Sequence, residues 1–232
     1  MKDLRAIARL WPLAYAYMVP ASSGLSTVGD LKGKRAVVTI SANAALAEAN
    51  VAMLAAAGLT PGDVRAVTIG AIPQGVKAVI EGNADATPVA VGIPLVKEAH
   101  AAIPGGVRYL ALSGAGANAA FLGGKLPGLY PLTVKPAPHR PEIKQDTTVL
   151  GFDVFLVASG TLSDADVTAI VSTLHGNWAA LQKDYPALRG GPAAGFASAT
   201  NTVPYHAAAA AYFKSKGLWT PANDKVDATL GK

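Results

Sequence analysis

The sequence predicts an α/β protein in which strands and helices alternate along the chain. Its 232 residues are 51% hydrophobic and 15% charged, a composition that supports a sizeable buried core. Between about residues 30 and 125, short β-branched runs alternate with longer alanine-rich segments. Because parallel strands need crossover helices to reconnect, this alternation predicts mostly parallel sheets covered by helices. The length accommodates one large domain or two lobes of roughly 100 residues each.

The elements of the first half follow one another in a regular order. Two short extended runs precede a Ser/Gly-rich turn at residues 21–26. Gly58 and Gly82 each close an alanine-rich segment, as expected of a residue that adopts the left-handed conformation at helix ends. The predicted extended runs are 5–11 and 14–19, the strands are 35–40, 64–69, 84–91 and 107–112, and the helices are 44–57, 73–81 and 94–102.

The second half offers fewer strands than helices. Residues 131–141 include four prolines, whose fixed φ and missing N–H groups favour an extended connector. Beyond it, Ser163 suits a helix start and Gly217 a helix end. The predicted elements are a strand at 147–158 and helices at 163–185 and 204–216. Residues 147–232 therefore complete a lobe only with help from residues 1–20.

Charge and cysteine content exclude several classes of protein. The net charge is +5, but the basic residues are spread out, and the densest group is Lys32, Lys34 and Arg35, so we expect no nucleic-acid partner. The absence of cysteine excludes disulfides and thiolate metal sites. We expect no membrane-spanning helix, because charged or helix-breaking residues interrupt every long apolar run.

The motifs do not indicate catalysis, a metal or a cofactor. Gly114-x-Gly116 follows a strand as in a dinucleotide-binding turn, but no acidic residue lies about twenty positions on, so a turn of small residues is favoured. No nucleophile elbow and no H-x-x-x-H spacing are present. The histidines lie far apart in unrelated contexts, at His100, His139, His175 and His206.

Small and polar residues recur where a predicted strand passes into a predicted helix. We expect these junctions to share one edge of the sheet, where helix N–H groups suit a carboxylate. Ser41 and Asn43 are equally suited to capping a helix, and capping and ligand contact can coexist. Asp153 lies in an apolar stretch, either facing an ammonium group in a cleft or held in a salt bridge. The junctions are residues 41–45, 70–74, 90–94 and 113–118.

Four segments together resemble the TAXI-type solute receptors of TRAP transporters, which have the type II periplasmic-binding fold. The likeness extends from about residue 5 to residue 218. It implies two lobes joined by crossover strands near residues 19–23 and 139–148, with lobe 1 formed by 1–22 and 140–232 and lobe 2 by 23–139. The segments are Asp-Leu-Lys-Gly-Lys-Arg at 30–35, Ala-Ala-Gly-Leu-Thr at 56–60 with Asp-Val at 63–64, Glu-Gly-Asn-Ala-Asp-Ala at 81–86 with Gly-Ile-Pro at 92–94, and Val-Pro-Tyr-His at 203–206 before Tyr212 and Lys-Gly-Leu at 216–218.

The same resemblance implies a set of ligand contacts. The loop that opens the first helix of the second lobe and the strand end before Gly-x-Pro are the lead positions, and His139 stands where related receptors have a tyrosine. The family's Ser-Gly-Thr is replaced here by residues 43–45, Asn-Ala-Ala, which removes hydroxyl donors and implies a different ligand. The implied contacts are Thr39, Ser41, Asn43, Ala44, Ala90, Val91, Gly92 and His139.

The resemblance implies a periplasmic solute-binding protein that captures a small organic anion or amino acid for the permease subunits of a TRAP transporter, without catalysis or a cofactor. The alternative is a cytoplasmic or truncated effector-binding or sensory module of the same fold. Such receptors carry a signal peptide and two βα units before the point where this sequence starts. We therefore expect an incomplete first lobe. Either the gene is truncated, the sequence is a fragment, or an oligomer or a swapped chain supplies the missing half.

Overall fold

The structure, a computed structural model, describes residues 3–230 as an α/β protein, which confirms the predicted fold class. The strands of these residues are β1 (Leu4–Pro20), β2 (Arg35–Ile40), β3 (Arg65–Ile69), β4 (Thr87–Ala90), β5 (Val107–Tyr109), β6 (Tyr130–Val134) and β7 (Thr147–Ser159). The helices are α1 (Ala44–Ala56), α2 (Ile72–Ile80), α3 (Pro94–Ala102), α4 (Ala119–Lys125), α5 (Asp164–Asp184), α6 (Ala207–Ser215) and α7 (Pro221–Leu230).

The chain divides into two compact units. Unit 1 comprises Met1–Pro12 and Asp153–Lys232, and unit 2 comprises Leu13–Phe152. β1 and β7 each pass from one unit into the other as unbroken strands. The passages therefore lie inside regular β-structure. The lobe bounds that the resemblance implied, with crossovers near residues 19–23 and 139–148, stay a prediction.

The Ser/Gly-rich turn and the proline-rich segment both adjoin strands. The Ser/Gly-rich turn at residues 21–26 ends β1, and Gly24 adopts a left-handed φ of 75° there. The first residues of the proline-rich segment, 131–134, lie in β6, which pairs antiparallel with β7 from Tyr130 opposite Gly151 to Val134 opposite Thr147. Both segments belong to unit 2.

The sheets of unit 2 are mixed. β2 and β3 are parallel, and a parallel bridge joins Ala36 of β2 to Ala86 just before β4. β1 pairs antiparallel with β4 through residues 15–18 and with β5 through residues 18–20. The alternation of strands and helices predicts the parallel strands. β1 arrives from unit 1 without a crossover helix, so the rule that predicts parallel pairing does not apply to it.

Two elements of the structure were not predicted from the sequence. Pro131 lies within β6, a position that proline tolerates because β6 stands at the end of its sheet and pairs on one side. The helix α7 begins after Thr220, whose hydroxyl donates to Asn223 Oδ1 at 2.6 Å. A threonine followed by Pro221 is a recognisable helix start, since proline suits the first helical position.

The core of unit 2 has two apolar clusters to which β1 contributes alternately. Tyr15, Tyr17 and Val19 belong to the cluster that also contains Met53 of α1. The intervening residues of β1, such as Met18, belong to the cluster with residues of α2 and α3. A period of two is expected of a strand whose two faces are both covered.

The core of unit 1 is built from one end of β1, the long helix α5 and the nine-residue helix α6. Val167, Val171 and Trp178 lie on one face of α5, and all three are buried. The Trp178 ring packs edge-on against Phe196 with centroids 4.8 Å apart. Its indole N–H donates to Gly191 O at 2.6 Å, so the ring is fixed at both its apolar and its polar end.

Candidate functional site

The ends of β2, β3 and β4 lie at one edge of unit 2. The amide of Ser41, just after β2, donates to Ile69 O at the end of β3 at 2.9 Å. β2 and β4 run parallel through the bridge from Ala36 to Ala86, so Ser41 and Val91 come near the same level. The predicted loops 41–45 and 90–92 therefore share this edge, and the concave pocket predicted between them stays a prediction.

The N-terminus of α1 presents free backbone donors at this edge. Asn43 is extended, with φ −150°, and its side-chain oxygen accepts from Leu46 N at 3.0 Å. This confirms that Asn43 caps the helix. Within residues 3–230, the amides of Ala44 and Ala45 make no hydrogen bond. Aligned peptide dipoles along the 13 residues of α1 give these two amides a partial positive charge.

Two hydroxyl groups lie near these amides in sequence and are exposed. Thr39 belongs to β2, opposite Thr68 of β3, and Ser41 follows one residue after the strand ends. Neither hydroxyl makes a hydrogen bond within the described part of the chain. The predicted residues Thr39, Ser41, Asn43 and Ala44 are therefore close in the chain, exposed and rich in donors.

The junction between β3 and α2 differs, because a side chain already occupies its donors. Gln74 Oε1 accepts from Gly70 N at 2.6 Å and from Ala71 N at 3.2 Å. The backbone N–H of Gln74 in turn donates to Ala71 O at 3.0 Å. This reciprocal cap leaves fewer amides for a ligand than α1 does.

The loop between β4 and α3 is held from behind by the rest of unit 2. Val91 N donates to Ala14 O at 2.9 Å, and Gly92 N donates to the Tyr109 hydroxyl at 3.1 Å. Gly92 has a φ of 81°, a conformation that glycine adopts without strain. Ala90 is partly buried as the last residue of β4. The amides of the predicted contacts Val91 and Gly92 therefore bond within the protein.

His139 lies in an exposed turn between β6 and β7. Arg140 Nε donates to His139 Nε2 at 3.1 Å, so the histidine serves as an acceptor for its neighbour. Two turn bonds follow, from Arg140 N to Ala137 O and from Ile143 N to Arg140 O. Glu142 in this turn is buried.

Tyr109 is buried, and its hydroxyl accepts from Gly92 N in the loop between β4 and α3. Burial raises the pKa of its hydroxyl, and the neighbouring Glu142 carboxylate adds to the rise. The hydroxyl is therefore neutral at physiological pH and can accept one hydrogen bond while donating another.

The fourth predicted junction, residues 113–118, does not share the edge. Gly116 N donates to Ala56 O at 3.1 Å, at the C-terminal end of α1, whereas Asn43 caps the opposite end. After β5 the chain pairs with another segment, since Ala111 bridges to Thr27, and Asn118 then caps α4 beside the C-terminal end of α1. The expectation that four junctions meet at one edge is corrected to three.

The glycines of that junction have a packing role. A Cβ on Gly114 would lie 2.4 Å from Ala56 O, and one on Gly116 would lie 2.6 Å from the Ala56 Cα. Both distances are too short for any side chain. The Gly114-x-Gly116 turn is therefore explained by its close approach to α1, in agreement with the turn of small residues favoured from the sequence.

Asp153 is paired within unit 1. Its Oδ1 lies 2.8 Å from Arg9 Nε, and only 2% of the Asp153 side chain is exposed. The Thr200 hydroxyl donates to Oδ2. Of the two interpretations of the sequence, the structure shows the salt bridge.

The other histidines have structural partners. Val107 N donates to His100 Nδ1 at 3.2 Å, and Ala208 N donates to His206 Nδ1 at 3.3 Å at the start of α6. His175 Nδ1 lies 3.0 Å from the Tyr212 hydroxyl. Among residues 3–230 there is no group of three or more metal-ligating side chains. In the same residues no helix is long and apolar enough to cross a membrane.

Comparison with known proteins decides the family. The model of the NMT1-like family matches residues 1–217 of the 232. The chain belongs to the NMT1-like family. No curated protein matches it.

Solved structures similar to the chain are solute-binding proteins and not enzymes. They include the periplasmic aliphatic sulphonate binding protein SsuA from Escherichia coli, with 19% identity, TM-score 0.47 and coverage of 98% of this chain and 72% of that one. A structure on glutathione import through GshT and the cystine ABC importer TcyBC of Streptococcus mutans shows 12% identity, TM-score 0.46 and coverage of 80% and 64%. A TctC solute binding protein from Polaromonas shows 15% identity, TM-score 0.46 and coverage of 81% and 58%. The chain spans less than two thirds of the last two structures.

Sequence reasoning missed Tyr109, whose hydroxyl accepts from Gly92 N, and the buried Glu142. Tyr109 is the last residue of β5, and Glu142 follows the proline-rich segment. Glu142 is only 4% exposed, although glutamate is rarely buried. A glutamate in a proline-rich turn carries no local sign of burial, so no pattern in the sequence could have identified it.

Proposed function

We propose that the exposed edge of unit 2 binds a small organic anion and that the protein is an extracytoplasmic solute-binding protein. One observation carries the proposal. Ala44 and Ala45 present unused amides at the start of α1, beside the exposed hydroxyls of Thr39 and Ser41. A surface of hydrogen-bond donors at a helix N-terminus suits a carboxylate or a sulfonate.

The finer parts of this proposal concern the transporter and the compartment. We propose delivery to membrane permease subunits of the TRAP type, in the periplasm, on the resemblance of the four sequence segments. The remaining predicted contacts, Ala90, Val91, Gly92 and His139, belong to the same proposal. Ala90 to Gly92 lie at the end of the strand next to β2, so they stand on the same edge as Ser41.

Proline substitution at the first position of α1 tests whether the start of this helix binds the ligand. Ala44→Pro deletes one amide donor, and proline is tolerated at this position because its φ fits the helix. Asn43 is extended, as a residue before proline prefers. Ala119→Pro is the matched control, because Ala119 also opens a helix of unit 2 after an extended asparagine cap. The two variants differ only in whether the lost amide lies at the proposed edge.

The measurement is calorimetric titration with ethanesulfonate, L-glutamate and glutathione. We expect at least one probe to bind, and Ala44→Pro to raise its Kd about tenfold, since a hydrogen bond to a charged group contributes roughly 1.5–3 kcal/mol. Ala119→Pro should leave Kd unchanged. Equal Kd values for the wild type and Ala44→Pro would show that the start of α1 does not hold the ligand.

A further inference from the structure

One strand of the binding edge contains an extra residue. Where β2 pairs with β3, Val37 lies opposite Val67, and Thr39 lies opposite the next residue, Thr68. Val38 therefore has no counterpart on β3 and forms a β-bulge, in which two residues of one strand face one residue of the other. Bulges re-aim the side chains that follow them. The residue that follows this bulge is Thr39, a predicted ligand contact.

The burial of β2 shows the effect of the bulge. Val37 belongs to the cluster with residues of α2 and α3, and Val38 belongs to the cluster with Met53. Strict alternation would place Thr39 on the face of Val37. It would also place Ile40 on the face of Val38. Ile40 instead belongs to the cluster of Val37, and Thr39 is exposed. The bulge therefore takes Thr39 off a face that the core covers.

A side chain of α1 holds the bulge. Asn50 Nδ2 donates to Val38 O at 2.8 Å, and Asn50 is 0% exposed. Asparagine is mostly exposed in proteins, and a buried amide is costly without a hydrogen bond. A carbonyl oxygen only accepts, so an apolar side chain at position 50 could not replace this bond. Loss of Asn50 would leave the buried carbonyl of the bulge without this donor.

The same helix supplies the free amides of the binding edge. Asn50 lies in α1, whose first residues Ala44 and Ala45 present N–H groups without a partner among the described residues. The bond to Val38 O therefore joins the helix that carries these amides to the strand that carries the Thr39 hydroxyl. A site whose donors are fixed before the ligand arrives binds more tightly than one that must order them.

We propose that Asn50 is a positioning residue of the binding edge, which holds the bulge at Val38 and so keeps the Thr39 hydroxyl exposed for the ligand. The proposal rests on the proposed function, since Thr39 must contact the ligand for its position to affect affinity. Asn50 is buried and acts through Thr39. Its loss should therefore displace Thr39 and weaken binding.

Thiol labelling measures the position of Thr39 without a ligand. The chain contains no cysteine, so Thr39→Cys introduces a single thiol, whose rate of reaction with a soluble aromatic disulfide depends on its exposure. Asn50→Leu removes the donor and keeps a similar volume. In this background the labelling of Thr39→Cys should slow at least about threefold, because strict alternation would bury the thiol. Thr68→Cys is the matched control. Thr68 is also exposed, but β3 has no extra residue, so its labelling rate should not change.

A second control separates the bulge from general stability. Tyr17→Phe removes another buried hydrogen bond to β2, from the Tyr17 hydroxyl to Val37 O at 3.0 Å, before the extra residue. We expect it to lower Tm and to leave the labelling of Thr39→Cys unchanged. In Asn50→Leu, an unchanged rate for Thr39→Cys would overturn the proposal. Faster labelling of both Thr39→Cys and Thr68→Cys would also overturn it, since it would show general loosening of unit 2.

A double-mutant cycle tests whether Asn50 affects binding through Thr39. The Kd is measured for whichever of ethanesulfonate, L-glutamate and glutathione binds the wild type. Thr39→Val deletes the hydroxyl and should raise Kd about tenfold, as expected for a hydrogen bond to a charged group, and Asn50→Leu should raise it by a similar factor. Because both changes remove the same contact, the double variant should bind no more weakly than either single variant. Effects that multiply would contradict the positioning role.

The outcomes distinguish this inference from the proposed function. If the wild type binds none of the probes, the proposed function has failed, and labelling alone decides whether Asn50 sets the position of Thr39. If a probe binds, slowed labelling with an unchanged Kd in Asn50→Leu would overturn the role in binding. If Asn50→Leu does not fold, Asn50→Ala takes its place in every measurement, because alanine removes the donor without added bulk and favours the helix.

Discussion

The two units differ in the burial and the hydrogen-bond partners of their polar groups. Unit 1 buries an ion pair, Arg9 with Asp153, and supports it with the Thr200 hydroxyl. Unit 2 leaves the amides of Ala44 and Ala45 at an exposed edge without partners among the described residues. The buried ion pair of unit 1 therefore serves stability. The unpaired amides at the edge of unit 2 remain available to a ligand.

Arg9→Met is the substitution with the largest expected effect on the free energy of unfolding. It tests whether the buried ion pair stabilises unit 1. Only 2% of the Asp153 side chain is exposed, so removing Arg9 leaves a buried charge without its cation. Breaking a buried pair from one side costs about 3–5 kcal/mol. The free energy of unfolding, measured by urea titration, should fall by about that amount.

The control is Arg5→Met, on the same strand. Arg5 Nη1 donates only to the neighbouring Leu4 O at 2.9 Å, so we expect a change below about 1 kcal/mol. Similar losses in both variants would contradict the claim that unit 1 depends on its buried pair.

Gly191→Ala should have the next largest effect. A Cβ at this position would lie 1.9 Å from Leu10 O, which forces the backbone to move and disturbs the acceptor of the Trp178 indole. Overpacking of this kind costs roughly 3 kcal/mol. Gly190→Ala is the control, since its Cβ would meet nothing within 4 Å. Equal Tm values for Gly191→Ala and Gly190→Ala in thermal unfolding would contradict the predicted steric clash.

Asn43→Ala tests whether the edge of unit 2 combines stability with binding. Loss of the cap on α1 should cost about 1 kcal/mol. Because the same residue orders the amides of Ala44 and Ala45, the Kd for the probe should also rise. Asn118→Ala removes the cap of α4, whose side chain accepts from Phe121 N at 2.9 Å, and should lower stability alone. A rise of Kd in both variants would point to general loosening of unit 2.

The smallest expected effect is a pH dependence of stability that arises from one ion pair in unit 2. The side-chain hydrogen bond from Arg35 holds the pKa of Asp85 below its usual range. A carboxyl with a lowered pKa in the folded state stabilises the protein above the unfolded pKa of about 3.9, and this contribution is lost as the pH falls below it. Asp85→Asn should therefore lower stability at pH 6 and change it less at pH 3. Exposed Asp146 provides the control Asp146→Asn, which removes a surface carboxyl and leaves the pair of Arg35 and Asp85 intact.

Local signals allowed the first half of the fold to be predicted well. The strand at 35–40 and the helix at 94–102 have the predicted bounds, and α1 ends one residue earlier than predicted. Caps and terminal glycines act within a few residues, so they can be read from sequence. The shared edge of the loops after β2 and β4 was predicted for the same reason, because parallel strands follow from alternating elements.

The remaining features depend on contacts between distant residues. The turn at Gly114 follows a strand like the other three junctions, yet it packs against the end of α1 because Ala111 pairs with Thr27. The continuous β1 could not be predicted across Pro12, which suggested a break. Tyr109 reaches the loop of Gly92 only after the sheet has formed. Each of these outcomes is decided by tertiary packing, which overrides local preference.

The continuous strand β1 also has a consequence for synthesis on the ribosome. Arg9 emerges before unit 2, and its partner Asp153 follows only after all of unit 2 has been made. At about 5–20 residues per second, the start of β1 waits for several seconds with its apolar side chains uncovered. Unit 2 is one unbroken segment and has all its strands by then. The nascent chain therefore passes through a stage in which its first strand is exposed to chaperones while the later unit is already able to fold.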